Sequence, residues 1–263
     1  MKRICLFNLM IASLFFISCE RAENHENKVV GDGNGFIERM FDADIDYDAV
    51  VSIMNTRAFS QYENDIDVSK LVIASDFEQY GNIGNLFLNS ISLNENYGKN
   101  YYIDEDQEMY NDVALLYGQT VRLYNTRCSG NDFCGIDFTF EMTHRLDVSI
   151  TGFENNNVTP SVNLEVAWNT DGNPNDVVLI HIYSYTDAVP GHPYRQKTFN
   201  KKNSDASVVI SGSDLSNVFR EGDELIINVM RGNHYGSTTN VGKKVGVMAI
   251  DAVDYIGLKF MTP

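Results

Sequence analysis

The chain has 263 residues, 43% of them apolar and 11% aromatic, which is enough hydrophobic mass to bury a core and excludes wholesale disorder. Its length suits one large or two modest domains, and two is the expected arrangement. Thirty-six acids against 20 cations give a formal charge of −16, which argues against a nucleic-acid partner and favours cations or cationic partners.

Met1-Lys2-Arg3 is a basic start, followed from Ile4 to Ile17 by an apolar run broken chiefly by Asn8. A helix crossing a bilayer core needs about 20 apolar residues, so this run has the length of an export signal rather than of a membrane span. Phe16-Ile17-Ser18-Cys19 stands where cleavage is expected. Here the chain resembles the bacterial lipoproteins, whose lipobox places an apolar residue three before the cysteine and a small residue just before it. Ser18 and Cys19 fit that pattern, and Phe16 occupies the place where Leu is usual. The resemblance implies diacylglycerol on the Cys19 sulfur, an acylated amine and stable attachment to the outer membrane, with the body facing the periplasm or the cell surface. Residues 1–18 hold Lys2, Arg3 and no acid, so their removal takes the formal charge to −18.

Residues 19–35 are polar, acidic and glycine-rich, a composition that reads as a flexible tether. The acids behind Cys19 also resemble the surface-export signals of some Gram-negative lipoproteins. Phe36 to Phe41 is compatible with a short helix, but no 3.6-residue period is sustained, so helix is expected to be minor. A β-rich unit is expected over 36–144, with strands at Ala49–Met54, Leu71–Ala74, Leu86–Leu93, Asp112–Tyr117, Thr120–Tyr124 and Ile136–Phe140, and a glycine turn at Gly118. Cys5 leaves with the signal and Cys19 is taken by lipid, so the remaining Cys128 and Cys134, bracketing a turn-forming stretch, are expected to form a disulfide in an oxidising compartment.

From 145 to 263 the pattern is that of an antiparallel, immunoglobulin-like β-sandwich, which makes the whole chain all-β. Strands are expected at Val148–Phe153, Val162–Trp168, Val177–Tyr185, Ser207–Ile210, Glu224–Met230, Val245–Ile250 and Tyr255–Phe260, with Trp168 in the core. Asn169–Asp176 reads as a hairpin with a longer loop, and Arg231–Asn240 as a polar loop between two strands.

Candidate chemistry is sparse. Asp42, Asp44, Asp46 and Asp48 alternate like one solvated strand face, and Asp171, Asn173, Asn175 and Asp176 put oxygen ligands within one loop that a turn explains equally well, so no metal or cofactor is expected, with calcium at Asp171, Asn173 and Asp176 as the alternative. The five histidines do not cluster, and neither His-Glu-x-x-His nor Gly-x-Ser-x-Gly occurs. Tyrosines between 97 and 124, Tyr101 and Tyr102 among them, suit stacking on sugar rings or anchoring a partner protein. The Val189–Tyr194 loop with His192 and Tyr194, and the stretch with Arg231, His234 and Tyr235, complete the candidate binding residues. The functional expectation is an outer-membrane or surface lipoprotein with a non-enzymatic binding or structural role. An accessory glycan-binding protein and a hydrolase with a site assembled from distant residues are the alternatives.

Overall fold

A computed structural model describes residues 47–60, 70–76, 84–95, 101–102, 116–128, 133–174, 176–184, 195–240 and 242–262. Cys19, the tether, Phe36–Phe41, Asp42, Asp44, Asp46, Asn175, His192 and Tyr194 lie outside these residues. The strands are β1 (Ala49–Ser60), β2 (Lys70–Asp76), β3 (Asn85–Leu88), β4 (Ile91–Ser92), β5 (Asn94–Glu95), β6 (Tyr101–Tyr102), β7 (Thr120–Thr126), β8 (Asp137–Glu141), β9 (Val148–Thr151), β10 (Asn157–Val158), β11 (Leu164–Trp168), β12 (Val177–Ser184), β13 (Gln196–Lys202), β14 (Ser207–Ile210), β15 (Glu224–Thr238) and β16 (Lys244–Phe260). A short helix, α1 (Gly212–Ser216), is capped by the Ser211 hydroxyl, which accepts from Asp214 N–H at 3.1 Å. The chain is all-β, and among the described residues its pairing is antiparallel except where β1 and β10 run parallel to β16.

One seven-stranded sheet, ordered β13-β12-β15-β16-β1-β2 with β10 also on β16, is the spine. At about 3.3 Å per residue, the 17 residues of β16 reach about 55 Å, far enough to serve two cores in succession. Ala49, Val51 and Ile53 of β1, with Val245, Val247 and Ala249 of β16, bury against the four-stranded sheet β4-β3-β7-β8 through Leu86, Leu88, Val121, Leu123 and Phe140. Further along the same face, Val253, Leu258 and Phe260 join Val178, Ile180, Ile182, Leu225, Ile227 and Val229 against the three-stranded sheet β14-β11-β9. Trp168 is buried in this second core, as its alternation with Leu164 and Val166 predicts. The other face of the spine is apolar too, with Val50, Met54, Leu179, Met230, Met248 and Ile250 buried.

The sandwich expected of residues 145–263 is therefore not built from those strands alone. The spine takes β1 and β2 from the front of the chain, β1 pairing with β16 from Ala49↔Val245 to Ser60↔Ile256. The expected boundary at 144/145 falls within the coil that joins β8 to β9.

Several local expectations are corrected. Val245–Ile250 and Tyr255–Phe260 are one strand, because Asp251 and Asp254 stay in the ladder and Gly257, at φ +96°, supplies a bulge. That extra residue changes which side chains face the core, from Val253 before it to Leu258 and Phe260 after it. Arg231–Asn240 is not a loop: β15 runs on to Thr238, and Thr239 N–H already donates to Lys243 O at 2.8 Å just before β16 begins. Polar residues are tolerated in that stretch because every residue to Thr238 pairs with β16. Gly236 opposes Gly246 in this ladder, and the Tyr47 ring lies so close that a Cβ on Gly246 would sit 2.6 Å from it. Asn169–Asp176 is not a hairpin either, since β11 and β12 belong to different sheets and the segment crosses between them. Of the strand expected at Asp112–Tyr117, the described end is a turn at Leu116–Gly118. The edge strand β13 was not predicted, its sequence Gln-Lys-Thr-Phe-Asn-Lys-Lys having one strong apolar residue.

Cys128 and Cys134 are bonded across the connection between β7 and β8, with Cα atoms 5.3 Å apart. Asn125 organises the same connection, its Nδ2 donating to Phe133 O and its Oδ1 accepting from Gly135 and Ile136 N–H. Phe133, beside Cys134, is fully buried in the first core, so the bond holds a core residue in place. Replacing both cysteines by serine is expected to cost about 2 kcal/mol, the loop-closure value for so short a ring, read as a lower urea midpoint without loss of the β-sheet far-ultraviolet spectrum.

Candidate functional site

Among the described residues, a concentration of buried polar side chains lies on the spine between the two cores. Along β16 the inward positions run from Ala249 in one core through Asp251 to Val253 in the other. Along β15 they run from Val229 to Arg231, Asn233 and Tyr235, and along β1 from Ile53 to Asn55 and Arg57. A charged residue in mid-strand is thus carried by strict alternation into a layer that water does not reach. Such groups require partners at bonding distance.

The partners come from the coil 142–147. Asp251 Oδ2 accepts from Leu146 N–H at 2.6 Å and from Arg57 Nη2 at 2.7 Å, and its Oδ1 accepts from Tyr117 OH at 3.1 Å. Arg57 Nη2 also donates to Leu146 O at 2.6 Å. Burial pushes the Asp251 carboxyl up to about 6 against the pull of Arg57 and these donors. Tyr117 is raised by its own burial and then by Asp251. Arg231, fully buried, donates through Nη2 to the carbonyls of His144 and Arg145 at 2.7 and 2.6 Å, and through Nη1 to Asn169 O at 2.9 Å and Asn203 Oδ1 at 3.3 Å. Two buried guanidinium groups therefore hold the backbone that passes from one small sheet to the other.

The crossing segment Asn169–Asp176 is organised from the same seam. Asn203, fully buried, directs Nδ2 at the carbonyls of Thr170, Asp171 and Asn173, at 3.3, 3.2 and 3.2 Å, and its own carbonyl accepts from Trp168 Nε1. Asp171 Oδ2 accepts from Asn169 Nδ2 at 3.0 Å, and Asp176 Oδ1 from Asn233 Nδ2 at 3.1 Å. Burial raises Asp176 to about 6, with Arg231 and Asn233 acting in the opposite sense. Asp171 Oδ2 and Asp176 Oδ1, two of the oxygens considered for calcium, thus accept from the amides of two different asparagines. Among the described residues, no group of three or more His, Cys, Asp or Glu side chains is arranged to hold a metal ion.

Of the residues singled out from sequence, Asp171, Asn173, Asp176, Arg231 and Tyr235 come together at this seam. Tyr235 packs on the first core, its ring 5.7 Å from that of Phe140. His234 lies on the opposite face of β15, where burial lowers its pKa. Tyr101 and Tyr102 form β6 against β5. Tyr124 carries Phe87 stacked at 5.1 Å and the Arg122 guanidinium at 4.6 Å, so its ring is already engaged within the sheet. Asp48, the described member of the aspartate series, holds Lys244 N–H and Lys243 Nζ at 2.8 and 3.1 Å, and the first of these bonds depresses its pKa most. Sequence reading missed Arg57, Asn203, Asn233 and Asp251. The available signal was an isolated charge within an apolar alternating run, as in Val247-Met-Ala-Ile-Asp251.

A second feature is concave. A solvent-open groove of about 460 Å³ at the end of the second core is lined by Gly152, Phe153, Glu154, Asn155, Asn157, Thr159, Val162 and Met261. Comparison of the chain with protein-family models, with curated proteins and with solved structures finds no match.

Proposed function

We propose that the chain is an exported lipoprotein, anchored in the outer membrane by lipid on Cys19, whose β body is a binding or structural module rather than a catalyst. The observation that carries this reading is the Cys128–Cys134 bond, since such bonds persist outside the reducing cytosol and an export signal ending in Ser18-Cys19 places the chain there. The buried charges of the seam support the non-catalytic half of the reading: Arg57, Arg231 and Asp251 hold backbone groups and one another, deep within the fold.

The test is metabolic labelling with an alkyne fatty acid, comparing wild type with Cys19→Ser in membrane fractions. Wild type is expected to carry label in the outer-membrane fraction and Cys19→Ser to carry none. Equal labelling of the two, or an unlabelled wild type that retains residues 1–18 by intact mass, overturns the anchor.

A further inference from the structure

We propose that the groove beside Phe153 is a binding site for a neutral saccharide, an inference that rests on reading the body as a binding module and names what it binds. The groove is lined by the apolar residues Phe153, Val162 and Met261 together with the polar residues Glu154, Asn155, Asn157 and Thr159. Val162 is 45% exposed, one of only two large aliphatic side chains so exposed among the described residues. Its volume falls in the range of small-ligand sites, about 300–1,000 Å³.

The walls are held by the backbone. Glu154 and Asn157 exchange hydrogen bonds at 3.1 and 2.8 Å around Asn155 and Asn156, both left-handed at φ +49° and +64°. This is a two-residue hairpin turn whose hand fixes where the Asn155 amide stands. Gly152 abuts Asn163 O so closely that a Cβ would lie 2.0 Å from it, and Met261 N–H donates to Val158 O at 2.9 Å. A groove held this way loses little freedom when a ligand enters.

The lining selects the ligand class. No Lys, Arg or His contributes to it, so an anion finds no counter-charge. A purely apolar ligand would leave two amides and a carboxylate without partners. An ammonium ion would satisfy Glu154 but offer the Asn155 and Asn157 amide donors nothing to donate to. A pyranose meets all of these demands, having an apolar C–H face for Phe153 and Val162 and hydroxyls that both donate to and accept from the amides.

Saturation-transfer difference NMR on the purified full-length chain tests this with maltotetraose, cellotetraose and mannotetraose, with spermidine as the cationic comparison. At least one oligosaccharide is expected to show saturation, strongest at its axial ring protons. Val162→Arg, which fills the groove from an exposed position, is expected to abolish the effect with the unfolding midpoint unchanged. Phe153→Ala is expected to weaken binding about tenfold. No saturation of any of the three sugars, saturation of spermidine alone, or undiminished saturation in Val162→Arg overturns the saccharide site. Fatty-acid labelling of Cys19 in the same preparation reports the anchor separately, so failure here and failure of the lipoprotein reading are distinguishable.

Discussion

Arg57→Met is expected to destabilise the chain by about 3–5 kcal/mol, among the largest losses any single substitution should produce. The substitution removes the cation from Asp251, whose carboxylate is fully buried, and strips the Leu146 carbonyl of the donor it meets at 2.6 Å. Apolar packing is not the cause, since a methionine fills most of the arginine stem. What remains is a buried carboxyl that has lost its ion-pair partner and is driven to take up a proton, beside a Leu146 carbonyl without its donor. The double variant Arg57→Met/Asp251→Leu removes both charges, and should be more stable than Arg57→Met by about 2 kcal/mol or more. Urea unfolding of the four members of this cycle, with the disulfide intact, gives the coupling. Additive losses would show that Arg57 and Asp251 do not stabilise the fold through each other. A second readout is local: the Leu146 amide donates to Asp251 at 2.6 Å, and should exchange with deuterium much faster in Asp251→Leu while amides in β12 remain protected.

The seam explains why the fold class was legible in the sequence and the architecture was not. Alternation in Val247-Met-Ala-Ile and Leu225-Ile-Ile-Asn-Val marks strands irrespective of what they pack against, so the all-β character follows from local chemistry. The join between β1 and β16 has no local signature, because each reads as an ordinary strand and nearly two hundred residues separate them. Asp251 and Arg231 even mislead. In an isolated strand each suggests an end, because a charge is usually a surface residue, yet here each is retained within a long strand by a partner from a distant coil. The candidate binding residues fared similarly. Arg231 stands out as polar between strong strands, which is correct as a sign of something unusual, but its guanidinium is turned inward on backbone carbonyls and asparagine side chains. The groove went unnoticed because Asn155-Asn-Asn157 reads only as a turn, and its apolar lining joins Phe153 and Val162 to Met261, a hundred residues away.

Asp254→Asn is expected to stabilise the chain above neutral pH, because it removes a buried charge that has no cation beside it among the described residues. Asp254 pairs across the sheet with Asn228, whose Nδ2 donates to its Oδ1 at 2.6 Å, and both are buried on the face of the spine opposite the two cores. Asn228 Oδ1 is itself buried with no hydrogen-bond partner. Burial raises the Asp254 carboxyl to about 6 from an ordinary value of 3.8, and Asn228 offsets only part of that rise. The folded protein therefore binds this proton more tightly than the unfolded chain does. Stability from the neutral form is complete below the unfolded value and is lost as pH rises from about 4 through about 6, amounting to about 3 kcal/mol once the group is ionised. An asparagine has the same shape, cannot ionise, and can donate to Asn228 Oδ1 while accepting from its Nδ2. Asp254→Asn should thus match wild type near pH 4, exceed it by about 2–3 kcal/mol near pH 8, and flatten the slope between them. Asp251 titrates over the same range, so the variant must be compared with wild type at each pH rather than with a flat baseline. Asp254→Leu separates charge from hydrogen bonding, since it removes the Asp254 share of the slope but leaves both ends of the Asn228 amide unpaired, and should be less stable than Asp254→Asn at every pH. An Asp254→Asn variant less stable than wild type near pH 8 would mean that the carboxylate is held ionised in the folded chain, and that burial is not what sets its proton affinity.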